Sequence, residues 1–223
     1  MKERNYAIIL AAGEGKRFGG RKQFFLLKGL PLFLYSVFTF ENSPSCSEII
    51  IVTNEDKIGF VERWLVKERL KKVKKVVAGG KRRIDSTYQG LKELPKEGIV
   101  AVHDAARPIL RPKIIKMGFK LAKRYRAVIF GLPVEETIKR VKASRIVETI
   151  PREGLYRVQT PQFFEIGLLR SAMASLSNKR ENFTDESQLV ERFGYPSYLF
   201  LGDKNNIKVT TREDLNFLKF LLR

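Results

Sequence analysis

The stretch Tyr6-Ala-Ile-Ile-Leu-Ala-Ala-Gly-Glu-Gly-Lys-Arg-Phe-Gly-Gly-Arg-Lys22 decides the fold. Its first five residues make an apolar run of strand length, which breaks into a loop carrying Gly13, Gly15, Gly19 and Gly20. Glycine lets a backbone approach a ligand closely and turn its N–H groups toward an anion. Lys16, Arg17, Arg21 and Lys22 add positive charge to the same loop. A strand feeding such a loop predicts an open α/β sheet that binds a phosphate-bearing ligand outside the carboxyl ends of its strands. Two familiar alternatives fail. The spacing G-x-x-x-x-G-K-[ST] is absent, and the region where a dinucleotide fold wants an acidic strand end reads as helix.

The alternation continues along the chain. Residues 48–53, 73–78, 99–103 and 127–131 read as further strands, and 31–40, 57–70, 83–94 and 112–125 as the helices between them. In the last of these, Ile115, Phe119 and Ala122 recur at helical steps. Pro31 and Pro112 suit first-turn positions, and Pro95 follows a helix end. This order predicts an α/β fold: a Rossmann-like, mostly parallel sheet flanked by helices. After Pro133 the pattern changes. Residues 134–141 and 146–150, joined through Lys142-Ala-Ser-Arg145, read as an antiparallel hairpin that is polar on both faces, hence a projecting arm. Helices near 165–176 and 186–193, a strand at 197–201 and a helix at 212–222 complete the chain, the last capped by Thr210 or Thr211.

Composition narrows the chemistry. In 223 residues, 43 Lys+Arg face 24 Asp+Glu, a net charge of +19, and 43% of residues are hydrophobic. A chain of this size buries roughly 70% of its unfolded surface and needs no staple, so one domain over 1–223 is expected. Cys46 and His103 are the only residues of their kinds, which excludes an intramolecular disulfide, a Cys-based zinc site and a His-rich metal site. The positive excess suits nucleic acid, small polyanions or plain solubility, and the run Arg69-Leu-Lys-Lys-Val-Lys-Lys75 reads as a solvated face. The longest apolar stretch, 30–40, falls far short of the ~20 residues that span a bilayer, so a cytoplasmic protein without a membrane partner is expected.

A second chemical cluster, Val102-His-Asp-Ala-Ala-Arg-Pro108, closes the fourth strand. Asp104 can accept from substrate hydroxyls and Arg107 can bind phosphate or orient Asp104; a purely structural Asp–Arg pair is the alternative reading of the same spacing. His103, one residue earlier in the strand, faces the opposite way and reads as structural.

Four blocks occur in fixed order: Leu10-Ala-Ala-Gly-Glu-Gly-Lys-Arg17, Lys22-Gln23, Gly79-Gly80 with Arg83 and Ser86, and His103-Asp-Ala-Ala-Arg-Pro108. Thr137, Lys139-Arg140, Arg152, Thr160-Pro-Gln162, Thr184-Asp-Glu186 and Asn206-Ile-Lys-Val-Thr210 follow. Together they resemble the 2-C-methyl-D-erythritol 4-phosphate cytidylyltransferases over almost the whole chain. The resemblance implies a single nucleotidyltransferase domain that transfers a cytidylyl group from CTP to 2-C-methyl-D-erythritol 4-phosphate in non-mevalonate isoprenoid synthesis. It implies catalysis by Arg17, Lys22, Arg152 and Lys208. It places the nucleotide against Ala11, Ala12, Gly13, Glu14, Gly15, Gly80, Arg83, Ser86 and Asp104. The methylerythritol phosphate falls to Asp104, Arg107, Thr137, Arg152, Thr160, Thr184 and Lys208. It further implies Mg²⁺ held mainly by the CTP phosphates, with no protein metal site. A homodimer is implied too, in which the arm, about 134–152, brings Thr137 and Arg152 to the partner's site.

Four departures stand out. Leu10 occupies a position where the family often has proline, and Arg21 replaces the proline usual before the lysine. Only four residues separate Arg17 from Lys22, and Arg82 sits at a position more often acidic. The rival readings are a cytidylyltransferase acting on ribitol 5-phosphate or another polyol phosphate, a sugar-1-phosphate nucleotidyltransferase, and a basic nucleic-acid binder. The last lacks the interleaved exposed aromatics of single-strand binding, so no nucleic-acid partner is expected.

Overall fold

A computed structural model describes residues 4–175 and 183–221. In chain order the elements are β1 (Asn5–Ala11), β2 (Leu26–Leu27), β3 (Leu30–Pro31), α1 (Leu32–Glu41), β4 (Glu48–Thr53), α2 (Ile58–Lys67) and β5 (Val73–Ala78). Then come α3 (Arg83–Lys92), β6 (Ile99–Asp104), α4 (Pro112–Tyr125), β7 (Ala127–Pro133), β8 (Ile138–Lys142) and β9 (Arg145–Ile150). The chain continues through β10 (Tyr156–Glu165), α5 (Ile166–Ala174), α6 (Glu186–Arg192), β11 (Tyr198–Leu201) and α7 (Arg212–Leu221). Seven strands form one sheet in the order β11-β7-β10-β6-β1-β4-β5. Only β10 runs antiparallel to its neighbours, so the expected mostly parallel α/β sheet is what the chain forms.

The central strand shows why both faces are covered. Ala7 and Ile9 of β1 point into an apolar layer shared with Phe33, Val61 and Ile115, which places α1, α2 and α4 on that face. Tyr6 and Ile8 alternate to the other face and pack with Ile84, Leu169 and Leu189 of α3, α5 and α6. Contact is close where α4 crosses β10: a Cβ on Gly118 would lie 2.1 Å from the Phe163 ring. A third cluster joins Phe18 of the glycine loop to Leu215 and Leu218, so α7 braces that loop from beneath.

Several boundaries differ from the sequence reading. β10 was not foreseen as a strand. Pro161 interrupts its pattern, and the pairing with β7 shifts register between Gln159 and Phe163, a bulge that hides the alternation. The arm hairpin begins at Ile138 rather than 134, and its turn residues Ala143 and Ser144 both take positive φ, 44° and 64°. Both arm strands are exposed on each face, with β9 paired only to β8. Helix α2 stops at Lys67 because Arg69 turns left-handed at φ 52°. Pro31 precedes α1 instead of opening it, whereas Pro112 is the first residue of α4. The expected ends of the helices at 176 and 222 lie outside the described residues. Thr211 caps α7, with Asp214 accepting from the Thr210 and Thr211 amides at 2.6 and 2.9 Å.

Candidate active site

The glycine loop leaves β1 and is shaped by side chains that hold its carbonyls. Buried Gln23 donates to Ala11 O at 2.7 Å and Gly13 O at 2.9 Å, and Asn54 donates to Ala12 O at 3.0 Å. Gly15 takes φ 65°, and a Cβ there would sit 1.9 Å from Gly20 O, so only glycine lets the loop fold back on itself. The substituted Arg21 acts as a tie. Its Nη1 reaches both Asp56 oxygens at 2.7 Å, and its Nε reaches Glu14 at 3.3 Å, which Asn54 also grips at 2.9 Å. Lys22 is still delivered to the cavity despite the short spacing. Arg82, the other unusual charge, is matched by Asp85 at 2.6 Å.

Above the carboxyl ends of β1 and β6 lies a cavity of about 620 Å³. Every residue expected to meet the nucleotide lines it: Ala11, Ala12, Gly13, Glu14, Gly15, Gly80, Arg83, Ser86 and Asp104, together with Lys22 and Lys208. The Ser86 hydroxyl accepts from Gly80 N–H at 3.1 Å and fixes the turn before α3. A smaller hollow of about 240 Å³ adjoins it, lined by Arg107, Thr160 and Thr184. Arg83, Asp104 and Lys208 line both and form the wall between them.

That wall is a chain of alternating charges. Lys208 Nζ donates to Asp104 Oδ2 at 2.6 Å, and Arg83 Nε donates to Asp104 Oδ1 at 3.0 Å. Arg83 Nη1 then reaches both oxygens of Glu186 at 2.6 Å. Burial opposes ionisation of Asp104, yet Arg83 and Lys208 outweigh it and hold the carboxyl well below the usual range. Burial pushes the Lys22 ammonium down, and the neighbouring charges of Lys208 and Arg17 push the same way. Lys22 and Lys208 thus meet in the cavity with Arg17 close by, a crowding of positive charge that an incoming polyanion relieves.

The structure redistributes some expected roles. The Arg107 backbone N–H donates to Asp104 O at 3.0 Å, but its guanidinium turns away from the Asp104 carboxylate and donates to Asn206 O at 2.7 Å and Val158 O at 3.4 Å, reaching across to the loop that carries Lys208. Val209 N–H donates to Ala106 O at 2.8 Å, which sets Lys208 over Asp104. His103 is fully buried, with Nε2 at 3.1 Å from Arg107 O and Nδ1 at 3.2 Å from the Thr160 hydroxyl. Because a carbonyl only accepts, Nε2 carries the hydrogen; the ring is structural, as expected. The Thr160 hydroxyl also accepts from Asp104 N–H at 3.1 Å, so it braces the wall before meeting any ligand. Arg17 is exposed and lines neither hollow. Thr137 and Arg152 are likewise exposed and line neither; Arg152 donates to Glu135 O at the base of the arm. Sequence reasoning assigned no part to Gln23 or Glu186. Gln23 adjoins Lys22 in the sequence, and Glu186 closes the block Thr184-Asp-Glu186, so each carries a signal.

A glycine loop and a set of cations converging over the carboxyl ends of a parallel sheet define the class: an α/β protein built to handle a nucleotide and a second phosphorylated ligand. Within that class, the chain belongs to the IspD family, 2-C-methyl-D-erythritol 4-phosphate cytidylyltransferase, whose model matches residues 6–223. A 2-C-methyl-D-erythritol 4-phosphate cytidylyltransferase of Halalkalibacterium halodurans is 38% identical over 220 residues, 97% of this chain and 96% of its own. One from Clostridium novyi is 40% identical over 216 residues, 95% and 94% of the two chains. Among solved structures, a 4-diphosphocytidyl-2C-methyl-D-erythritol synthase superposes with a TM-score of 0.86 at 28% identity, covering 100% of both chains. The Thermus thermophilus 2-C-methyl-D-erythritol 4-phosphate cytidylyltransferase gives 0.79 at 29%, over 99% and 98%.

Proposed function

We propose that this protein transfers a cytidylyl group from CTP to 2-C-methyl-D-erythritol 4-phosphate, releasing pyrophosphate. The observation that carries the reading is the charged wall: Arg83, Asp104 and Lys208 stand between a nucleotide-sized cavity and a smaller hollow, so two ligands meet across it. In the reaction a phosphate oxygen of the acceptor forms a bond to the α-phosphorus of CTP. The bond from that phosphorus to the bridging oxygen breaks, and its electron pair leaves with pyrophosphate. The nucleophile is already an oxyanion, so no strong base is required. Positioning and neutralisation of charge carry the catalysis.

Lys22 is a cation of the cavity that comes from the glycine loop itself, with the charge of Arg17 close by. Lys208 leaves Asp104 to take the acceptor's phosphate, while Asp104 turns to the ribose. The carboxylates lining the larger cavity are Glu14 and Asp104, each already held by cations of the protein. Among the described residues, no cluster of three or more His, Cys, Asp or Glu is arranged to hold a metal. These donors suit a Mg²⁺ that arrives on the triphosphate, with Asp104 as the protein's contribution. When bound, the ion neutralises charge on the phosphates.

The exposed arm supports a homodimer. Val141, Ile146 and Val147 leave apolar surface on a two-stranded hairpin, which is marginal alone in water. A second copy would order it and bring Thr137 and Arg152 to the neighbouring site. A cytoplasmic reaction fits the use of CTP; no helix of the described residues is long and apolar enough to cross a membrane. The test is pyrophosphate release by the purified protein with CTP, UTP, ATP and GTP against methylerythritol phosphate and ribitol 5-phosphate. Release with CTP and methylerythritol phosphate is expected; activity confined to ribitol 5-phosphate would replace the acceptor.

A further inference from the structure

Glu186 opens α6 with no exposed surface, yet the proposed reaction gives it no task. A carboxylate buried this completely persists only when paired and hydrogen-bonded. Its partners are both on α3: Arg83 Nη1 reaches its two oxygens at 2.6 Å, and the Thr87 hydroxyl donates to Oε1 at 2.6 Å. Glu186 lines neither hollow, whereas Arg83 lines both. The opposite edge of the Arg83 guanidinium faces Asp104. There Nε donates at 3.0 Å, and Nη2 lies in ionic contact at 3.0 Å but is sealed from solvent without a hydrogen-bond acceptor. One edge is therefore spent on Glu186, and the other is turned to Asp104 at the wall of the cleft.

We propose that Glu186 is a positioning residue for nucleotide binding: with Thr87 it clamps one edge of Arg83, so that the edge gripping Asp104 is held fixed at the wall of the cleft. The inference rests on the function proposed above. Arginine is a long side chain with many rotamers, and a guanidinium pinned along one edge reaches the ligand already oriented. The clamp also sets the charge balance of the wall. Without the Glu186 charge, Asp104 is the only carboxylate paired with Arg83, and it is drawn toward α3 and away from Lys208. A carboxylate that only neutralised a buried arginine would need neither the two-oxygen grip on Nη1 nor the threonine that fixes its own rotamer.

The test uses the full chain and two variants. Glu186→Gln keeps the shape and one acceptor oxygen but removes the charge; Thr87→Val leaves the charge and removes its hydroxyl partner. Steady-state kinetics for CTP, calorimetric titration of CTP in magnesium buffer and thermal melting are measured for each. Glu186→Gln is expected to raise KM and Kd for CTP about tenfold, with kcat at saturation changed less than about threefold, as loss of a supporting partner does. Thr87→Val should move both constants the same way by less. In an Arg83→Lys background, Glu186→Gln should add less than about twofold, because its effect runs through Arg83. A folded Glu186→Gln protein with unchanged KM and Kd, or a full tenfold loss in the Arg83→Lys background, overturns the proposal. If Glu186→Gln does not fold, Thr87→Val decides, and an unchanged Kd for CTP rejects the clamp. Failure of the wild-type chain to release pyrophosphate would reject the transferase reading instead, since CTP titration still reports on Glu186.

Discussion

At the scale of single residues, the site works by placing charge where it is costly until a ligand arrives. Lys22 is half-buried and repelled by Lys208 and Arg17, so its interaction with phosphate strengthens as charge builds on the reacting group. Lys22→Ala and Arg17→Ala should each lower kcat by about 10²–10³ while raising KM for CTP far less, the effect of losing one preorganised donor. Steady-state pyrophosphate release measures this, and near-normal kcat in either variant would remove that residue from catalysis. His103 supplies a separate prediction about stability. Burial pulls its ring down from 6.5 to about 4, so the folded protein keeps it neutral where the unfolded chain takes a proton. The unfolded state then binds more protons between those values, and stability falls as pH drops through that window, by about 3 kcal/mol in all. Urea midpoints from pH 7 to pH 4 should show this decline, and His103→Gln should flatten it. An equal slope in the variant would mean that other groups carry it.

At the scale of elements, the glycine loop shows how one local feature replaces another. Family members often stiffen the approach to the lysine with proline; here Arg21 ties the loop to Asp56 and Glu14. Asp56→Ala should therefore raise KM for CTP several-fold and leave the melting temperature unchanged, because an exposed pair contributes little to global stability. A KM equal to wild type would show that Gln23 and Asn54 hold the loop unaided. Helix α4 gives a packing prediction. Gly118→Ala puts a methyl against Phe163 and should destabilise by about 1–3 kcal/mol, read from denaturant midpoints. The parallel half of the sheet was legible from the sequence because strands such as Glu48–Thr53 are continuous apolar runs between helical periods. The antiparallel β10 was not, because Pro161 and its bulge break the alternation that marks a strand. The same limit applies to the site. The cavity's lining could be read from adjacent motif residues, but the Arg83–Glu186 pair joins positions 103 residues apart, and no local pattern reports such a contact.

At the scale of the whole molecule, a net charge of +19 suits a protein whose two substrates are both polyanions, since it draws them in and concentrates them. The homodimer proposed from the arm makes a prediction of its own. Arg152 lines neither hollow of its own chain, so in that homodimer mixing Arg152→Ala with Lys22→Ala subunits should restore activity to about one quarter of wild type, half the dimers each holding one intact site. No recovery after verified subunit exchange would mean that Arg152 serves its own chain. In the proposed reaction the α-phosphorus of CTP passes to the acceptor together with its cytidine, across the wall of Arg83, Asp104 and Lys208, and the β- and γ-phosphates leave as pyrophosphate. Parallel incubations of the wild-type protein with methylerythritol phosphate and CTP labelled with ³²P at either the α or the γ position test it directly. α-Label is expected in a cytidine-containing methylerythritol product and γ-label in pyrophosphate alone. Label from the γ position in the acceptor, or in inorganic phosphate released without pyrophosphate, would contradict it.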